Sequence, residues 1–230
     1  MPITKFSLAA LREHIRKYLW IYVIGIGLCL LGTNLLWTTT APRTPMEQVV
    51  QIYLADDYSN GDALNSLIPE VLVRTQAEDE SLLEVEILSM PFTENDYYSS
   101  MLLMTRLTTG DADAFLCGPA VMNYLIGTGA ALPLDDYYAD GFLADSGLEP
   151  YYVAVQETED TEPHTILAGF RLDPVKALTR RGALSSEGAF LLVTSNGTNV
   201  DSTLRTLENL MDLLMEESAD AGTESAEPAA

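Results

Sequence analysis

VVQIYLA, residues 49–55, is rich in β-branched and aromatic side chains and holds one polar residue. A run of that length and composition predicts a buried strand. The chain beyond it alternates. Asp56-Asp57-Tyr58-Ser59-Asn60-Gly61 reads as a loop, and Asp62 is placed to cap a helix. Leu64, Leu67, Ile68, Val71 and Leu72 form its apolar stripe, and Pro69 is set to kink or split it. LLEVEILSM (82–90) is a second strand, with Glu84 and Glu86 outward. Thr93 or Asn95 caps the next helix, YYSSMLLMTRLTTG, which Gly110 ends. ADAFLCG (112–118) is a third strand, and Pro119 opens a helix through VMNYLIGTG. Strand and helix alternate three times, which predicts an α/β domain with a mostly parallel sheet and right-handed crossovers.

The second half is less regular. YYVAVQET, HTILAGFRL and AFLLVTSN read as three more strands. A closing helix, STLRTLENLMDLLMEE, carries Leu204, Leu207, Leu210, Met211 and Leu214 on one face, as a core helix does.

Upstream lies YLWIYVIGIGLCLLGTNLLW, residues 18–37, without a charge. At about 1.5 Å per residue it spans a hydrocarbon core of about 30 Å. Tyr18, Trp20 and Trp37 sit where aromatic rings meet the headgroups. The stretch is longer than a signal-peptide core, and Pro42 follows the best small-residue cleavage site directly. An uncleaved single-pass anchor is therefore expected. Lys5, Arg12, Arg16 and Lys17 precede it, which puts the N-terminus in the cytoplasm and the rest outside the cell. The expected layout is a basic segment at 1–17, a transmembrane helix at 18–37, a Thr/Pro linker at 38–47, an α/β domain at 48–216 and a disordered acidic tail at 217–230.

Of 34 acids and 12 bases, all but one acid and four bases follow residue 40, leaving 33 against 8. Such a charge keeps a domain soluble and excludes nucleic acid as a partner. Cys117 is the one cysteine outside the span, so the domain has no internal disulfide and the thiol is expected to be buried. His164 is the one external histidine, so neither a zinc set nor a Ser-His-Asp set can be assembled. The run from Asp56 to Leu67 fails the calcium-loop pattern at its third and twelfth positions. No enzyme activity, metal or cofactor is expected.

Gly110-Asp111-Ala112-Asp113-Ala114-Phe115-Leu116, then a Gly-Pro turn, a helix and GTGAALPLDDY, resembles the extracellular solute-binding proteins of ABC importers. The likeness is to the sugar-binding branch of the type II periplasmic-binding-protein fold. VQIYLADDYSNGDALNSLIPE resembles the opening of that family, and AFLLVTSNGTNVDSTLRTLENLMDLL its close. The resemblance implies a binding-protein lobe with a reduced second lobe, since few residues separate DDYY from Phe190. Ligands of open α/β sheets sit at the carboxyl ends of the strands. The expected ligand-binding residues are accordingly Asp56, Asp57, Tyr58, Asn60, Cys117 and Gly118. Two functions stay open. One is a membrane-anchored solute-binding protein that takes a small solute such as a sugar and serves an ABC permease or other membrane protein. The other is an accessory protein of the cell envelope that keeps the fold without the ligand.

Overall fold

In the computed structural model the run at 49–55 is the strand from which the sheet is built. The structure describes residues 8–40, 44–155, 163–184 and 188–224, and the chain divides into two units, Met1–Arg43 and Thr44–Ala230.

The first unit is helix α1 (Leu8–Thr40). Its stretch Arg12–Thr40 is long and apolar enough to cross a membrane. Trp20, Ile24, Leu28, Leu31, Leu35 and Trp37 are all exposed, so the apolar surface runs all round the helix. Water does not stabilise such a surface, whereas a bilayer does. The backbone leaves helical values at Tyr18 (φ −113°, ψ 17°), where the basic stretch meets the apolar one. At the far end Thr38, Thr39 and Thr40 donate their hydroxyls to the carbonyls of Leu35 and Leu36. Threonine hydroxyls in helices bond back to carbonyls one turn earlier in this way, so these hydroxyls have partners without water. The helix thus extends three residues beyond Trp37; Lys5 and 41–43 lie outside the described residues.

The second unit is a six-stranded sheet in the order β2-β1-β3-β6-β5-β4. The strands are β1 (Val49–Ala55), β2 (Glu84–Ser89), β3 (Ala114–Cys117), β4 (Glu149–Val155), β5 (His164–Arg171) and β6 (Phe190–Val193). β1 pairs in parallel with β2 and β3, as the alternation of strand and helix implies. The rest of the sheet corrects the expectation of a mostly parallel one. β6 returns antiparallel to β3, β5 is antiparallel to β6, and β4 to β5. The sheet is mixed because β4 and β5 form a hairpin, which needs no helical crossover. The expected reduced second lobe is corrected too: the return segment adds strands to this same sheet.

Alternation along β1 sorts the core into two layers. Val50, Ile52 and Leu54 face α2 (Ile68–Gln76) and α7 (Val200–Glu224), where Val71, Leu207, Leu210 and Leu214 are fully or almost fully buried. Tyr53 and Ala55 face α3 (Tyr97–Thr109) and α4 (Pro119–Gly127), meeting Leu103, Leu107, Val121 and Leu125. Short helices α5 (Asp135–Ala139) and α6 (Lys176–Arg180) complete the unit.

Local departures have local causes. Pro69 splits the expected helix: a 3-10 turn takes 61–64, and α2 starts at Ile68 with the proline in its first turn, where no N–H is missed. Asp62 accepts from the Asn65 side chain instead of capping. Asp96, not Thr93 or Asn95, caps α3 by accepting from Ser99 N at 2.8 Å. Gly110 ends α3 at φ 71°, the left-handed conformation a glycine adopts freely. α7 runs past 216 to Glu224. Arg181 bonds Glu217 at 2.7 Å and Ser218 accepts from Ala177 N at 3.0 Å, so the packed part reaches into the segment read as tail. Residues 225–230 lie outside the described residues.

Gly169 sits where β5 crosses closest to β6, and a Cβ there would overlap the Leu191 carbonyl oxygen. Relief requires the two strands to part. Gly169→Ala is therefore expected to destabilise the domain by about 1–3 kcal/mol, the cost of an overpacked core site. A shift in the denaturant midpoint measures this, and an unchanged midpoint contradicts the close crossing of β5 and β6.

Candidate functional site

The loops after β1 and β3 meet at the carboxyl edge of the parallel strands. Ala55 lies beside Cys117 in the register, and Gly118 N donates to Ala55 O at 2.9 Å. Phe92 N donates to Asp56 O at 2.8 Å, which laces in the loop after β2. The loop after β1 is held from the other side as well. Asn60 N donates to Ala183 O at 2.9 Å, and Ser59 pairs with Leu184.

All six sequence-predicted residues gather at this edge, and their exposure divides them. Asp56 is 8% exposed, and its Oδ1 accepts from Asp57 N at 2.9 Å. Cys117 is fully buried. Burial first, and the nearby Asp56 charge second, push its thiol well above the ordinary range. A thiol held neutral in this way packs as a small apolar group and is a poor nucleophile or metal ligand. Gly118 is buried as the residue preceding α4. Asp57 and Tyr58 are exposed, Tyr58 at 54%, and Asn60 is half-buried. The side chains able to touch a solute are therefore Asp57, Tyr58 and Asn60.

Sequence reasoning missed the neighbouring cavity. β5 runs in the same direction as β1 and β3, so its carboxyl end reaches the same edge. There a cavity of about 200 Å³ has a floor of Leu172, Val175, Leu178 and Leu184, with Asp173 and Lys176 on its wall. Asp173 accepts from Arg171 Nε at 2.9 Å. The sequence signal was Asp173-Pro174 directly after a strand, legible as a site only once the direction of β5 is known. The Ser59 hydroxyl, in the loop that borders this cavity through Leu184, is buried with no hydrogen-bond partner among the described residues. No group of three His, Cys, Asp or Glu among the described residues is placed to hold a metal.

A second buried acid lies at the opposite edge. Asp113 is 3% exposed and accepts from Gln51 N at 2.8 Å and Thr198 N at 3.3 Å. Gly197 packs against it so closely that a Cβ would lie 3.0 Å from Asp113 Oδ1. Thr198 and Asn199 in turn donate to the carbonyls of Met46 and Glu47, where the chain enters the domain. Burial raises the Asp113 carboxyl to about 6; the two N–H donors oppose the shift and the Asp111 charge adds to it.

Compared with protein-family models and with curated proteins, the chain matches none.

The raised value sets a sign. Between about pH 4 and pH 6 the folded chain holds a proton that the unfolded chain has lost, so this group's contribution to stability falls as pH rises through that window. Relative to Asp113→Asn, the native protein is expected to lose about 2 kcal/mol of stability from pH 4 to pH 6.5, at about 1.4 kcal/mol per pKa unit. Denaturant titrations of both proteins across that range check it, and parallel pH profiles contradict it.

Proposed function

We propose that this chain is a single-pass membrane protein whose outer α/β domain, a binding-protein-like lobe, works by contacting another protein of the cell envelope rather than by enclosing a solute. The anchor is α1, with its N-terminus in the cytoplasm and the domain outside the cell. Arg12, Arg16 and Lys17 ahead of the apolar stretch support that direction.

The observation that carries the reading is the course of the return segment. β4 and β5 extend the one sheet, so among the described residues no second lobe stands opposite Asp57 and Tyr58. Small-solute sites normally bury most of their ligand in a concave pocket. A loop that offers only the exposed Asp57 and Tyr58 and the half-buried Asn60, with no wall facing them, holds a sugar weakly. The retained strand-end architecture then serves folding and display. The solute-receptor reading keeps one specific support, the 200 Å³ cavity bordering the loop after β1.

Two measurements test the proposal. Protease added to intact cells is expected to degrade the 44–230 domain, and protection until the membrane is opened contradicts the orientation. Thermal unfolding of the full chain in detergent, screened against sugars, amino acids and short peptides, is expected to show no saturable shift. A ligand at 100 times its dissociation constant adds about 2.7 kcal/mol of apparent stability. A shift of that kind, lost when Asp57 and Tyr58 are changed to Ala, would replace this reading with a solute receptor.

A further inference from the structure

Acidic residues are unevenly spread over the domain. From Tyr97 to Leu134, which includes α3 and α4, the charged residues are Arg106, Asp111 and Asp113. Arg106 bonds Asp111 at 3.2 Å, and Asp113 is buried. The outward surface of these two helices therefore carries almost no net charge. The opposite layer is different: Glu70 on α2, Asp135 and Asp136 on α5, and Asp201, Asp212 and Glu216 on α7 bring acids to its surface. Although Arg74 bonds Glu70 and lies near Glu216, and Lys176, Arg180 and Arg205 stand on α6 and α7, the acids of α5 and α7 leave it negative.

The uncharged layer also exposes what water least favours. Tyr97 is 81% exposed, Tyr98 72%, Met101 56% and Met104 48%. Tyr97, Met101, Met104 and Thr108 follow one another at helical spacing and, with Tyr124 of α4, line a shallow groove of about 470 Å³. Tyrosine and methionine supply large, adaptable contact area, and a group of them on one face marks an interaction site.

Charge decides what covers this face. Like-charged bodies repel, and a copy of this domain approaching by its acidic layer meets that repulsion in full. Two copies that meet through their uncharged layers put the acidic layers outermost, where the repulsion is least. A basic partner, by contrast, gains most on the acidic layer and nothing on this one. We propose that the α3–α4 face is a homodimer contact, in which Tyr97, Met101, Met104 and Tyr124 of one copy meet those of a second about a two-fold axis. The two-fold is the commonest symmetry of homo-oligomers. In an antiparallel pairing Glu94 and Asp96, just before α3, fall at opposite ends of the contact and do not oppose each other. α3 and α4 are about 20 Å and about 14 Å long, and packed helix axes lie about 8–10 Å apart, so the footprint is about 300 Å² per copy. That is small for a specific interface, and a shared membrane supplies the local concentration that a weak contact needs.

This inference rests on the protein-contact reading and names its partner. The test uses the full chain, in native membranes and in detergent, with Cys29→Ser as background. Met104→Cys is expected to give a disulfide-linked homodimer on mild oxidation, and Glu216→Cys, on the acidic layer, none. The yield should rise several-fold from about 0.05 to about 0.5 M salt, because screening removes residual repulsion. Met101→Asp with Met104→Asp, both exposed, should abolish the dimer with the melting temperature unchanged. A photo-reactive residue at position 104 separates the failures. If it captures a different protein, the homodimer falls and the contact reading stands. If it captures nothing and Met104→Cys stays monomeric, the homodimer falls and the contact reading falls with it at this face.

Discussion

A single buried carboxylate joins the two halves of the domain. Asp113 lies at the amino end of β3 and accepts backbone N–H groups from β1 and from the turn after β6. The first bond belongs to the parallel half of the sheet and the second to the returning half. Each replaces part of a hydration shell that a buried anion has lost, and the incomplete replacement is why its proton is held so firmly. The turn it fixes also holds the residues by which the chain enters β1. Entry strand, third strand and the turn before the closing helix thus meet at one point, beside the β3–β6 ladder that also joins the two halves.

The carboxyl edge so positioned is well ordered but shallow. Its main-chain groups are committed to one another, and its thiol and one of its two adjacent acids are packed inside. The chemistry left on view in the loop after β1 is one carboxylate, one phenol ring and the half-buried Asn60 amide. The strongest surface signal lies on the flank instead, where α3 and α4, whose one charge, Arg106, is paired with Asp111, cover one face of a very acidic body. Both features favour recognition of a protein surface over capture of a small molecule.

Much of this fold was legible in the sequence, because strand identity is a local property. VVQIYLA is a strand end to end, and LLEVEILSM, ADAFLCG, YYVAVQET, HTILAGFRL and AFLLVTSN each overlap an observed strand, with residues 156–158 outside the described residues; Gly110 and Pro119 bound helices where expected. Direction and neighbour order were not legible past β3, since a hairpin and a crossover leave similar local patterns. The mixed sheet and the course of the return segment both lie in that gap. Caps failed for a subtler reason: Thr93, Asn95 and Asp96 are all capable, and Asn95 takes φ 65° in the turn that presents Asp96 to Ser99. The strand-end rule brought the site residues together at one edge. Which of them face outward depends on contacts from α4 and from residues 183–184, distant in sequence and silent in the local pattern.

The position of β1 has a mechanical side. It is the first strand after the tether, yet it lies inside the sheet, bonded along most of its length to β2 and over Ile52–Ala55 to β3. A pull on residues 44–48 acts along the strand axis. The hydrogen bonds on both sides then bear the load in shear, all together, instead of being peeled one at a time as they would be at an edge strand. The chain enters the sheet by an interior seam held on both sides, so a load on residues 44–48 does not unzip it.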